Sequence, residues 1–226
     1  MKERFYFLGL VFLFVSNASF AQSSWSPELY ANHTYQSFEN FPPALQEIIP
    51  SRVDIPLLNA ALFYETNRQR VLQKMSQFMY SNALEKSATM HSNDMARLNF
   101  FSHTSTVRGR ETMVKRINMM GITNAAMAEN IADSFILNHP AGVSYQIRSD
   151  GFYYKNKKIR NRTYLEMAQA ILDQWMNSPG HRKNILSTKV TYLGTGSEAY
   201  GSQDKLRIKS TQNFSSKLGP EASPSF

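Results

Sequence analysis

Two histidines and one glutamate, His103, Glu129 and His181, each stand in a short, dense stretch of the chain. The first is His91-Ser92-Asn93-Asp94-Met95-Ala96-Arg97-Leu98-Asn99-Phe100-Phe101-Ser102-His103. The second is Ala128-Glu129-Asn130-Ile131-Ala132, and the third runs from Trp175 through Ser178-Pro179-Gly180-His181 to Leu186. Two neutral imidazoles and a carboxylate could hold a divalent transition ion, Zn2+ most naturally, with water completing its shell. The same groups could serve nucleophilic attack, with Ser102 beside His103 or Ser178 near His181, and Glu129 orienting. No local metal pattern such as H-E-x-x-H is present, and no G-x-S-x-G elbow. Spacing alone leaves two accounts open. The three residues converge on one cleft, or each separately caps a turn or satisfies a buried hydrogen bond.

The elements that must position these residues are mostly helical. Asp54 caps a helix over about 56–74. A second helix covers 77–99, with Leu84, Ala88, His91, Met95 and Leu98 forming its apolar stripe. That stripe buries His91, as a histidine that bonds a backbone carbonyl in preference to one that serves as a ligand. A third helix, 111–120, is closed by Gly121. A fourth opens on the capping box Thr163–Glu166, carries Trp175 into the core, and ends at a Ser178-Pro179 turn. Strands are expected over 143–148 and 152–159, flanking Ser149-Asp150-Gly151, and over 190–196 and 206–214. Helices layered on antiparallel strands make the fold class α+β. His33 and His139 fall in loop-like contexts and carry no argument.

The flanks read differently. Lys2 and Arg4, the apolar run Phe5–Val15 and Ser19-Phe20-Ala21 form a secretory signal peptide over 1–21, too short to span a bilayer. Residues 22–53 are expected to form a loosely ordered leader, with a turn at Phe41-Pro42-Pro43 and a short helix over 44–49. The folded domain then covers 54–216, and a Gly/Pro/Ser tail over 217–226 is expected to be disordered. There is no cysteine, so neither disulfides nor a cysteine-linked lipid anchor is expected. The formal charge is +8; losing Lys2, Glu3 and Arg4 takes away two positive charges and one negative and leaves +7. A basic exported protein is drawn to anionic envelope components, although such a charge often does no more than keep a protein soluble. Between Ala132 and Thr163, Lys155, Lys157, Lys158, Arg160 and Arg162 lie beside Phe152, Tyr153 and Tyr154. This is either a site for glycans or anionic polymers or a solvated hairpin arm. For an exported chain, nucleic acid is not an expected partner.

The motifs also resemble a known family. Thr66-Asn67-Arg68-Gln69-Arg70, the His91–His103 stretch, Ala128–Ala132, Trp175–Leu186, Leu193-Gly194-Thr195-Gly196 and Thr211-Gln212-Asn213-Phe214 occur in the order typical of the CAP superfamily. That superfamily comprises the cysteine-rich secretory, antigen five and pathogenesis-related proteins, called SCP-like in bacteria. The resemblance covers about 57–215 and departs from the pattern at Ala128, where a glycine is usual. It implies a three-layer α-β-α sandwich with an antiparallel central sheet and an open groove lined by two histidines and two acids. His103, His181 and Glu129 match three of these; Ser178 stands where many members have the second acid. The expected ligand groove is therefore His103, Glu129, Asn130, Ser178 and His181. His103 and His181 are the candidate metal ligands, and His103, Glu129 and His181 the candidate catalytic groups. The leading expectation is a secreted or periplasmic, bacterial-envelope binding module without strong catalysis. Its ligand is a glycan, peptide or lipid, with Zn2+ as the one cofactor in view and no membrane span. The rival expectation is a hydrolase using the same groove.

Overall fold

The computed structural model describes residues 23–140, 142–202 and 205–220. The expected signal peptide and the end of the tail, 221–226, lie outside the described residues. The central sheet has the order β1-β6-β7-β2, built from β1 (Met79–Tyr80), β2 (Met127–Phe135), β6 (Tyr192–Tyr200) and β7 (Arg207–Ser215). Three strands are antiparallel, but the short β1 runs parallel to β6, so the sheet is mixed rather than purely antiparallel. Helices α3 (Asn82–Arg97) and α4 (Met113–Met119) lie on one side of it. On the other side lie α2 (Ile55–Leu72) and α5 (Tyr164–Met176), which completes the α-β-α layering.

The layers fit through small residues and paired polar groups. A Cβ on Gly194 would come within 2.0 Å of the Glu85 backbone nitrogen, and one on Gly196 within 2.0 Å of that of Thr89. Helix α3 therefore rests on the bare backbone of β6. Along β7 the side chains alternate between faces. Thr211 and Asn213 bond Ser92 and Ser87 of α3, while Gln212 reaches Thr66 of α2 on the other face. Buried polar groups in this sheet are thus paired across the layers, as an interior of low dielectric requires.

Several boundaries move for identifiable reasons. Helix α3 begins at Asn82 because Ser81 caps it, accepting the Leu84 amide, and Met79–Tyr80 join the sheet as β1. The Thr163–Glu166 capping box forms as expected, and Trp175 is fully buried, donating from Nε1 to the Ile131 carbonyl at 2.9 Å. Ser178-Pro179 does not only end α5; it starts a further helix, α6 (Pro179–Ile185), with proline in its first turn. The strand expected over 152–159 breaks into β4 (Gly151–Tyr154) and β5 (Lys157–Lys158). With β3 (Gln146–Arg148) these form a separate three-stranded arm.

Residues 23–53, expected as a loose leader, carry α1 (Tyr35–Phe38) and two 3-10 turns, Pro27–Ala31 and Pro42–Leu45. The second turn replaces the short helix expected over 44–49. The segment also supplies Trp25, Phe38, Ala44 and Ile48 to the main core.

Candidate functional site

Strand β2 is an edge of the sheet, and the candidate residues gather around its first half. Successive residues of a strand point to opposite faces, so Glu129 and Asn130 part company. Glu129 turns toward α3 and α4, while Asn130 turns toward α6.

The Glu129 side is a buried charge relay. The Glu129 side chain is only 2% exposed. Oε1 accepts His103 Nδ1–H at 2.9 Å, and Arg116 Nη2 donates to Oε1 at 3.0 Å and to Oε2 at 2.8 Å. Asn213, oriented by its own partners, donates to Oε2 at 3.1 Å. Two donors on each oxygen fill the acceptor capacity of the carboxylate. Burial works to raise its pKa; the His103 hydrogen bond, the Arg116 charge and the nearby His91 outweigh it and hold Glu129 below the usual carboxylate value.

Arg116, on α4, is itself fully buried and also donates to the carbonyls of Arg110, Glu111 and His103. It ties both ends of the 103–111 loop to the acid. Removing one partner of such a buried pair leaves an uncompensated charge, a loss of about 3–5 kcal/mol. No sequence signal separates Arg116 from its exposed neighbour Lys115; only the packing of α4 does so.

His103 is the exposed end of this relay, with its side chain 54% accessible. The bond to Glu129 places a ring proton on Nδ1 and orients the imidazole. His91 lies behind, fully buried, donating from Nε2 to the Ser102 carbonyl at 3.0 Å and 3.9 Å from Glu129 Oε1. Burial pushes its imidazole down to about 4, against the pull of Glu129 and with the push of Arg116.

The Asn130 side builds the platform for His181. Asn130 is fully buried; its amide donates to the His181 carbonyl at 3.2 Å and to Gln212 Oε1 at 3.0 Å. Asn184 donates to Asn130 Oδ1 at 2.9 Å and to the Glu129 carbonyl at 3.1 Å. Helix α6 is thereby fastened over the outer edge of β2 and covers backbone groups that an edge strand otherwise leaves open. His181 is half-buried, and its Nδ1 is buried without a hydrogen-bond partner. Burial lowers its pKa first, and the neighbouring His103 adds to the effect. His103 thus lies on the α3/α4 side of β2, and the His181 backbone is held on its α6 side. The Ser102 hydroxyl accepts the Thr104 amide at 3.1 Å, and Ser178 makes no side-chain cap at α6.

The donor set can be tested against a metal. Among the described residues, no group of three or more His, Cys, Asp or Glu side chains is placed to hold an ion. Glu129, its acceptor sites filled, does not fit as a ligand. Of the two imidazoles, His103 is the exposed one, whereas the unpartnered Nδ1 of His181 is buried.

A family model described as CAP, cysteine-rich secretory protein family, matches residues 63–214. The chain belongs to the CAP family. Its CAP domain is 29% identical over 137 residues to the uncharacterized protein YkwD of Bacillus subtilis (strain 168), covering 61% of this chain and 41% of YkwD. It is 27% identical over 149 residues to the uncharacterized membrane protein YlbC of the same organism, covering 66% of this chain and 32% of YlbC. The chain therefore spans less than half the length of the curated relatives it matches. Among solved structures, an extracellular SCP-domain protein of Bacillus anthracis str. Ames superposes with a TM-score of 0.50 at 25% identity, over 73% of this chain and 42% of that one.

Proposed function

We propose that this CAP domain is an extracellular binding module whose ligand site is the surface around His103 and His181. One observation carries the reading: a buried Glu129, its acceptor sites filled, hydrogen-bonds Nδ1 of a half-exposed imidazole and so orients the His103 ring at the surface. A pre-oriented imidazole is what recognition of an acidic proton or a divalent ion requires. Asn130 belongs to the platform under His181, and Ser178 to the start of α6. An extracellular setting is supported by the expected signal peptide and by the extracellular B. anthracis relative. Among the described residues no helix is long and apolar enough to cross a membrane.

Zn2+ is the first ligand to test, held by His103 and His181 with solvent in the remaining positions; it would supply Lewis acidity to a bound ligand. Calorimetric titration of the intact chain and of His103→Ala and His181→Ala should show binding weakened at least about tenfold in each variant, since each removes one of two ligands. His103→Ala also removes one donor from the buried Glu129 and should lower the melting temperature modestly, whereas His181→Ala, at a ring that makes no side-chain hydrogen bond among the described residues, should change it less. Equal heats in all three proteins rule out the metal.

The rival reading, a hydrolase with His103 as general base, is favoured by the same Glu129–His103 bond. Neither candidate serine is engaged with an imidazole, so water would have to be the nucleophile. Turnover of peptide or peptidoglycan substrates that disappears in His103→Gln would replace the binding reading with the hydrolase.

A further inference from the structure

The β3-β4-β5 arm and the segment after it gather Arg148, Lys155, Lys157, Lys158 and Arg160 away from the His103 site. The arm sits at the far end of β2: Glu129 and Phe135 bound the remainder of that strand, about 20 Å at strand rise. Arg162, at its base, donates to the Phe135 and His139 carbonyls and so fixes the arm to the sandwich.

Between residues 138–140 and the β4–β5 hairpin lies a cleft of about 440 Å³. Lys155, Lys157, Lys158 and Arg160 line it together with His139 and Tyr154, and no Asp or Glu is among its lining residues. Lys158 has Asp150 at 3.3 Å, and Arg160 is paired with Glu166. Among the described residues, Lys155 and Lys157 have no carboxylate partner, and both are exposed.

The turn between β4 and β5 adds a second observation. Tyr154 pairs with Lys157, leaving Lys155-Asn156 as a two-residue loop with φ of +47° and +62°. Asn tolerates this left-handed region; a lysine there is uncommon, since glycine, asparagine and aspartate accept it at lower cost. The strained lysine extends over the Tyr154 ring, 5.2 Å from its centroid. The rings themselves pack on one another, His139 on Tyr154 at 5.1 Å and Tyr145 on Phe152 at 5.4 Å. These rings are packed against one another rather than projecting singly as a membrane-inserting set would.

We infer that this cleft binds an anionic glycopolymer, a chain of sugar units bearing carboxylate or phosphate. The unpaired lysines would meet the anionic groups, and the rings of Tyr154 and His139, which line the cleft, would give a sugar unit apolar contact. The inference does not rest on the His103 site.

The test is equilibrium binding of the intact chain to polygalacturonate, to neutral dextran, and to vesicles of phosphatidylcholine with phosphatidylglycerol. Polygalacturonate should bind, more weakly as salt rises, and dextran should not. The double variant Lys155→Gln/Lys157→Gln should weaken binding about tenfold, while Lys86→Gln/Lys189→Gln, which removes the same charge from other exposed positions, should change it less than about twofold. His103→Ala should leave the affinity intact. Three results overturn the cleft: equal losses in the two double variants, which would make net charge the whole effect; no binding of the polymer; or binding of vesicles alone.

Discussion

At the scale of single residues, the chemistry of this site is set by who neutralises whom. Glu129 looks in sequence like an acid free to act. In the fold it is a counter-charge, held between Arg116 and His103. His91 is the clearest consequence. Its folded pKa of about 4 lies below the ordinary 6.5. Between those values the unfolded chain takes up a proton that the folded chain refuses. Stability is therefore present above about pH 6.5 and falls as pH drops toward 4, by up to about 3 kcal/mol. Urea melts across that window should show the slope in the intact protein and a flatter curve in His91→Gln. Identical slopes would mean that His91 titrates normally. The lowered pKa of Glu129 acts in the same direction further into acid.

At the scale of elements, the site depends on how closely α3 and α6 approach the sheet. Helix α3 touches bare backbone at Gly194 and Gly196, whereas a Cβ on Gly180 in α6 would meet nothing within 4 Å. Gly196→Ala should therefore push α3 off β6 and lose more than about 3 kcal/mol. Gly180→Ala should gain about 0.5 kcal/mol, since the helix keeps its space and the unfolded chain loses freedom. Thermal unfolding of the two variants gives the comparison, and a Gly196→Ala protein as stable as the original would disprove direct helix-on-strand packing. The sequence showed α3, α4 and α5 through apolar spacing and caps. It hid β2, because Met127–Phe135 contains Glu129, Asn130 and Asp133, whose partners come from elsewhere in the chain. It hid α6 because Ser-Pro begins a helix as readily as it ends one.

At the scale of the whole molecule, the domain begins before the family match does. Trp25 is 4% exposed and makes edge contacts with Tyr30, Phe38, Phe41 and Tyr64. Ser23 and Ser24 bond Asp54, the cap of α2. Trp25→Ala should therefore destabilise the fold by about 3–5 kcal/mol. Trp25→Phe should lose much less, because the indole N–H has no partner in the core and its removal leaves nothing unsatisfied. A Trp25→Ala chain that unfolds at the original urea concentration would show the leader to be dispensable.

The sequence by itself determined the α+β class, the layered architecture, the capped helices, the burial of His91 and Trp175, and the family through the order of its motifs. All of these follow from local spacing, turn chemistry or short patterns that survive in one dimension. The tertiary structure alone decided that Glu129 and Asn130 face opposite sides of β2, that a fully buried Arg116 neutralises the acid, and that the leader belongs to the core. Those facts concern which groups share a low-dielectric space, and neither charge pairing nor packing leaves a periodic mark on the chain.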